Sequence, residues 1–193
     1  MSRVLPILFN TDMVRAILDG RKTVTRRGIK FPEGQTGHLL ESGKRDYIYY
    51  PGGIKYPPYQ PGDILYVRET WCRGSLDYKK EQYYYKADNI DFSCKWHPSI
   101  HMPKEAARIW LKVTDVWVER LQDIAEEQAQ AEGCNSGMLT GPCTARGQFE
   151  NLWNSTLKKS DLDRYGWDAN PWVWVIEFQQ CDKPKLLKRG GAE

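Results

Sequence analysis

The chain has no apolar run approaching the roughly 18 residues of a membrane-spanning helix. Nothing at its start reads as a secretory leader. It also lacks a Gly-rich phosphate loop, an H-E-x-x-H helix and a G-x-S-x-G elbow. Gly137 to Gly141 has no Lys-Ser/Thr ending, and no Ser/His/Asp triad assembles with any spacing argument. Strong charge of one sign is missing too. The net charge is +3 and the pI about 8.5, too mild for tight nonspecific nucleic-acid binding. Local basic patches remain at Arg21 to Arg27 and Lys183 to Arg189. The 5 cysteines, Cys72, Cys94, Cys134, Cys143 and Cys181, are odd in number and irregularly spaced. That pattern argues against a disulfide framework and predicts reduced thiols in a cytoplasmic protein. Cys94, His97 and His101 give C-x-x-H-x-x-x-H, a spacing able to bring three zinc ligands together. No fourth ligand is evident, so no metal and no cofactor is expected.

What is present suits one ordinary domain. The 193 residues, 40% hydrophobic and 27% charged, are enough to bury a core. We expect a single domain over 1–193, with its core at about 4–180 and a loose basic tail at 181–193. The 8 Trp and 11 Tyr are in excess. Such residues can stack on bases, but more often they fill a core or line a pocket.

Val4 to Phe9 is an apolar run suited to a strand. Asn10 or Thr11 can cap a helix that places Val14, Ile17 and Leu18 on one face and ends at Gly20. Directly after it comes Gly20-Arg21-Lys22-Thr23-Val24-Thr25-Arg26-Arg27, with four cations and two hydroxyls. Lys22 and Thr25 can meet if the chain bends. A lysine with a lowered pKa can then serve as base to the hydroxyl, while Arg21, Arg26 and Arg27 hold a polar substrate. A solvated basic loop is the competing reading.

Tyr47 to Tyr50 reads as a strand within a Gly/Pro/Tyr-rich stretch, and Pro61-Gly62-Asp63 as a turn. Ile64 to Trp71 reads as one strong strand. Its alternation sends Arg68 and Glu69 to opposite sides, so either one faces a central pocket or pairs with a structural partner. Glu81 to Ala87 and Ile109 to Val118 are further strands. Asp123 can cap a helix that Gly133 ends, leaving Glu132 as its last residue. There the helix dipole disfavours a carboxylate. Cys134 to Thr144 reads as a loop, Arg146 to Leu157 as a helix, and Trp172 to Phe178 as the closing strand. The strand-rich order indicates an α+β fold, a small β-barrel with helices at its openings, rather than a doubly wound sheet.

Gly20, Lys22 and Arg27 fit the G-x-K-x-x-E-x-R signature of the ASCH domain, and Thr25 stands where that signature has glutamate. In this the chain resembles the bacterial N4-acetylcytidine amidohydrolases, and in its length the larger phage and prophage ASCH proteins. The resemblance covers residues 4 to 180, with insertions at 28–60, 73–105 and 134–170. It implies a PUA-like (ASCH) small mixed β-barrel. It also implies a hydrolase site in which Lys22 activates Thr25 and Glu132 donates a proton to the leaving amino group. Its substrate would be a cytidine-like nucleoside or RNA base, bound near Arg21, Arg26, Arg27, Arg68 and Glu69. Two alternatives stand beside it: a module that binds RNA or a modified base without turnover, and a metal-independent ribonuclease. A monomer is expected, with no membrane partner.

Overall fold

A computed structural model describes residues 2–41, 46–75, 81–89, 93–135 and 144–184. The loop expected at 134–144 and the basic tail lie largely outside these residues. The main sheet has five strands: β1 (Val4–Leu8), β2 (Val24–Gly28), β6 (Ile64–Arg68), β9 (Trp110–Arg120) and β10 (Trp172–Cys181). Their order is β1-β6-β9-β10-β2. β1 runs parallel to β6, and every other pairing in this sheet is antiparallel. A second sheet holds β3 (His38–Glu41), β4 (Asp46–Tyr50) and β5 (Gly53–Lys55), and a third pairs β7 (Trp71–Gly74) with β8 (Gln82–Tyr85). The helices are α1 (Thr11–Leu18), α2 (Glu126–Ala131), α3 (Ala145–Ser155) and α4 (Leu162–Tyr165). The fold is therefore mixed α+β. Among the described residues the main ladder runs from β1 to β2 without closing into a barrel.

Both faces of the main sheet are covered. On β10, Trp174, Ile176 and Phe178 point into one core with Ile7, Phe9, Val14, Ile17 and Leu65. Val173 and Val175 point into another, with Leu121, Ile124, Phe149 and Trp153. A strand buried on both faces needs apolar residues at successive positions, which is why Trp172 to Phe178 reads as a nearly continuous apolar run.

Local signals held where geometry is set by neighbours in sequence. Asn10 caps α1, its Oδ1 accepting from Met13 N at 2.9 Å. Gly20 takes the left-handed turn at φ +73°. Val14 and Ile17 are buried, but Leu18 is 45% exposed, off the expected face.

Other expectations need correction. The strand expected over 64–71 breaks at Glu69–Thr70, and Trp71 begins a separate strand paired with β8. The 28–60 stretch contains the second sheet, which drives Ile48 into the main core. Asp123 does not cap α2; the N-cap is Ala125, and Asp123 accepts from Arg120 N at 3.3 Å instead.

The thiol expectation also fails for one pair: Cys72 and Cys94 are disulfide-bonded, with Cα atoms 6.5 Å apart. The reason is tertiary. The backbones of Trp71 and His97 exchange hydrogen bonds of 3.2 and 2.7 Å, which brings the loop before His97 alongside β7. Cys134 and Cys181 are free, and Cys143 lies outside the described residues. Among the described residues no helix is long and apolar enough to cross a membrane.

Candidate functional site

The site begins where α1 hands over to β2. After Gly20, the amides of Arg21 and Lys22 both donate to Ala16 O at 2.9 Å, which fixes the turn. The chain then passes along the end of α2. Thr23 N donates to Ala131 O at 2.8 Å, and Lys22 bridges Glu132. This contact lies just before β2, where the chain enters the edge strand. Gly133 permits the approach. It sits at φ +96°, and a Cβ there would come within 2.8 Å of Ala16 Cβ and 3.4 Å of Lys22 Cβ.

Lys22 and Glu132 consequently meet across 110 residues of chain, Nζ to Oε2 at 2.5 Å. Their side chains are 0% and 2% exposed. The ammonium also donates to Glu132 O at 2.9 Å and to Val24 O at 2.8 Å, so its three protons have three acceptors. Burial pushes the Lys22 pKa below its ordinary value. The Glu132 carboxylate opposes that shift, and the nearby Arg27 charge adds to it. With so short a contact, one proton moving from Nζ to Oε2 converts the ion pair into a neutral amine and a carboxylic acid.

Glu132 is held from its other side by Arg26, whose Nη1 lies 3.3 Å from Oε1. Arg26 also donates from Nε to Glu119 at 2.8 Å and from Nη2 to Gln128 at 2.9 Å. Its guanidinium stands 5.8 Å from the Phe149 ring centre. Trp117 Nε1 donates to the second oxygen of Glu119 at 2.9 Å. The result is a buried, hydrogen-bonded charge network around Glu132.

Alternation along β2 sends Arg26 to that network and its neighbours to the opposite face. Thr25 pairs with Ile176 and Arg27 with Trp174. Thr25 is 2% exposed. Among the described residues no hydrogen bond joins its hydroxyl to Lys22, whose donors are taken as described. Arg27 donates to Leu8 O at 2.8 Å and lies 5.3 Å from the Phe9 ring centre, while Lys22 Nζ lies 5.6 Å from the same ring. Burial holds the Arg27 pKa below its usual range, against the opposing influence of Tyr59 and Glu132.

The other expected site residues are engaged elsewhere. Arg21 is on the surface, donating to Gly133 O at 2.9 Å and Asp19 at 2.8 Å. Arg68 donates to the carbonyls of Met102 and Ile100. Glu69, buried, takes a two-pronged contact from Arg108 at 2.9 and 3.1 Å. Its pKa is raised by burial, with Arg108 pulling the other way. These partners form a separate cluster with Tyr85 and Asp88.

Phe9, Glu119 and Gln128 were not singled out from sequence. Gln128 had a signal, since it stands four residues before Glu132 on one helix. Nothing local ties Glu119 to Arg26. Among the described residues no group of three or more His, Cys, Asp or Glu could hold a metal ion. Cys94 of the C-x-x-H-x-x-x-H segment is consumed by the disulfide, and the His97 ring packs 5.0 Å from that of Trp71.

Comparison with protein-family models finds no match, and comparisons with curated proteins and with solved structures find none either.

Proposed function

We propose that the chain is an ASCH-type amidohydrolase that deacylates an N4-acylated cytidine or a related nucleoside. In this reading the five-stranded sheet, whose edge strands approach one another at Arg27 and Leu8, is a PUA-like barrel. The observation that carries the proposal is the buried 2.5 Å contact between Lys22 and Glu132. A lysine can act as base only when its pKa is low, and burial lowers that of Lys22. In the reaction, Thr25 Oγ1 attacks the acyl carbon as Lys22 takes the hydroxyl proton. Glu132, holding a proton, passes it to the departing N4 amine, and water then releases the acyl group from Thr25. The step requires the Lys22 amine to turn from one of its present acceptors toward Thr25.

One observation favours a second reading, in which the site binds a base without turnover: all three Lys22 protons are already engaged. Incubation with N4-acetylcytidine, followed by chromatography for cytidine, separates the two. Turnover lost in both Lys22→Ala and Thr25→Ala supports the hydrolase. Absence of turnover by folded wild-type protein removes it and leaves the binding module. A hydrolase of free nucleosides is insensitive to salt, whereas a polynucleotide binder loses affinity steeply as salt rises.

A further inference from the structure

A second concavity lies at the far end of β2, beyond Gly28, and shares no lining residue with the Lys22–Glu132 contact. Its volume is about 270 Å³, just under the roughly 300 Å³ at which drug-sized pockets begin. That limits an occupant to one small ring system. Its walls are aromatic: Phe31, Tyr165 and Trp172.

These walls are fixed by their own hydrogen bonds. Trp172 Nε1 donates to Gly37 O at 2.8 Å. The Tyr165 hydroxyl accepts from Phe31 N and donates to Phe31 O, both at 3.2 Å. Arg120 covers one face of Trp172, its guanidinium carbon 4.0 Å from the ring centre. Arg164 donates to Phe31 O and Pro32 O at 3.2 and 2.9 Å.

One residue of the lining, Gln35, breaks this pattern of satisfaction. Gln35 Oε1 is buried and has no hydrogen-bond partner among the described residues. A buried acceptor without a donor is costly, and the complement it lacks is an N–H. Flat aromatic walls favour a planar ring. The lining carries two guanidinium groups, Arg120 and Arg164, against one carboxylate, Asp163, a net positive charge that favours an attached phosphate.

We propose that this cavity binds a single nucleobase of a nucleotide or RNA strand, its ring between the aromatic walls and an exocyclic amino or ring N–H donating to Gln35 Oε1. It is independent of the hydrolase reading and stands if that reading fails.

Calorimetric titration with cytidine monophosphate, cytidine and a five-nucleotide cytidine RNA tests it, on wild-type protein and Gln35→Leu. We expect saturable single-site binding of the monophosphate, weaker binding of cytidine, and at least about a tenfold loss in Gln35→Leu. The variant should melt no lower than wild type, since the oxygen it removes has no protein partner. Comparable affinity for monophosphate and oligonucleotide identifies a free nucleotide as ligand, and tighter binding of the oligonucleotide identifies an RNA strand. The Gln35 side-chain amide resonances should shift during the titration. The proposal is overturned if none of the three ligands binds saturably, if Gln35→Leu binds like wild type, if that variant melts lower, or if the shifts centre on Lys22 and Glu132 instead.

Discussion

Arg27 Nη2 lies 2.8 Å from the carbonyl oxygen of Leu8, so a side chain on one edge strand of the main sheet ties down the end of the other. The same guanidinium lies 5.3 Å from the Phe9 ring centre, and Lys22 Nζ lies 5.6 Å from it. This clasp explains how β1 and β2, at opposite ends of the ladder, contribute to one site.

Removing the clasp should loosen both edges. Arg27→Ala is expected to cost about 1.5–3 kcal/mol, the range for a hydrogen bond involving a charged group. Amide hydrogen exchange should quicken in β1 and β2 and remain unchanged in β9. Equal quickening across all strands would mean that Arg27 contributes only to global stability.

The Lys22–Glu132 pair should be costly to break singly. Lys22→Met leaves the Glu132 carboxylate buried with Arg26 as its remaining cation, and a loss of about 3 kcal/mol is expected in urea denaturation. Lys22→Met combined with Glu132→Leu should recover part of that loss. If the double variant is as unstable as the sum of the single ones, the two groups are not coupled.

Gly133 is expected to tolerate no side chain. Its φ of +96° and the 2.8 Å approach to Ala16 make Gly133→Ala strained and crowded at once. The expected cost is about 1–3 kcal/mol, read as a lower denaturation midpoint. Gly20→Ala, at φ +73° in open space, should cost less.

The Cys72–Cys94 disulfide closes a loop with a sequence separation of 22. Loop-closure entropy for that length is worth about 3 kcal/mol. Dithiothreitol should lower the denaturation midpoint of wild-type protein and leave that of Cys72→Ser where it is. A midpoint insensitive to reductant in both would show that the bridge adds no stability.

Tyr85 gives a pH signature. Its hydroxyl donates to Ala106 O at 2.6 Å, and burial, partly offset by Arg108, raises its pKa from 10.0 to about 12. A folded-state pKa above the unfolded one contributes stability that is complete below pH 10 and lost as pH rises toward about 12. Tyr85→Phe should therefore be less stable than wild type near neutrality, with the difference shrinking between those two values. A constant difference across that window would show that Tyr85 does not titrate with unfolding.

Sequence alone determined the features that depend on near neighbours. Asn10 and Gly20 bound α1 because a cap and a left-handed stop act within one turn. The alternation of Ile109, Leu111 and Val113 and the apolar run from Trp172 mark β9 and β10 because burial imposes its period on the chain. Gly133 ends α2, so Glu132 stands at a helix terminus. Tertiary structure alone decided what these ends meet. Glu132 reaches Lys22 across 110 residues, through a close approach of Gly133 to Ala16 that no local pattern encodes. Arg26 and Arg27, adjacent in sequence, serve different faces because β2 is a strand, one joining Glu119 and Glu132, the other Leu8 and Phe9. Cys72 and Cys94 are bonded because Trp71 pairs with His97, and cysteine spacing carries no information about Cα distance. Arg68 and Glu69 are held by Met102 and Arg108, partners that only the packing of the 100–108 segment against β6 supplies.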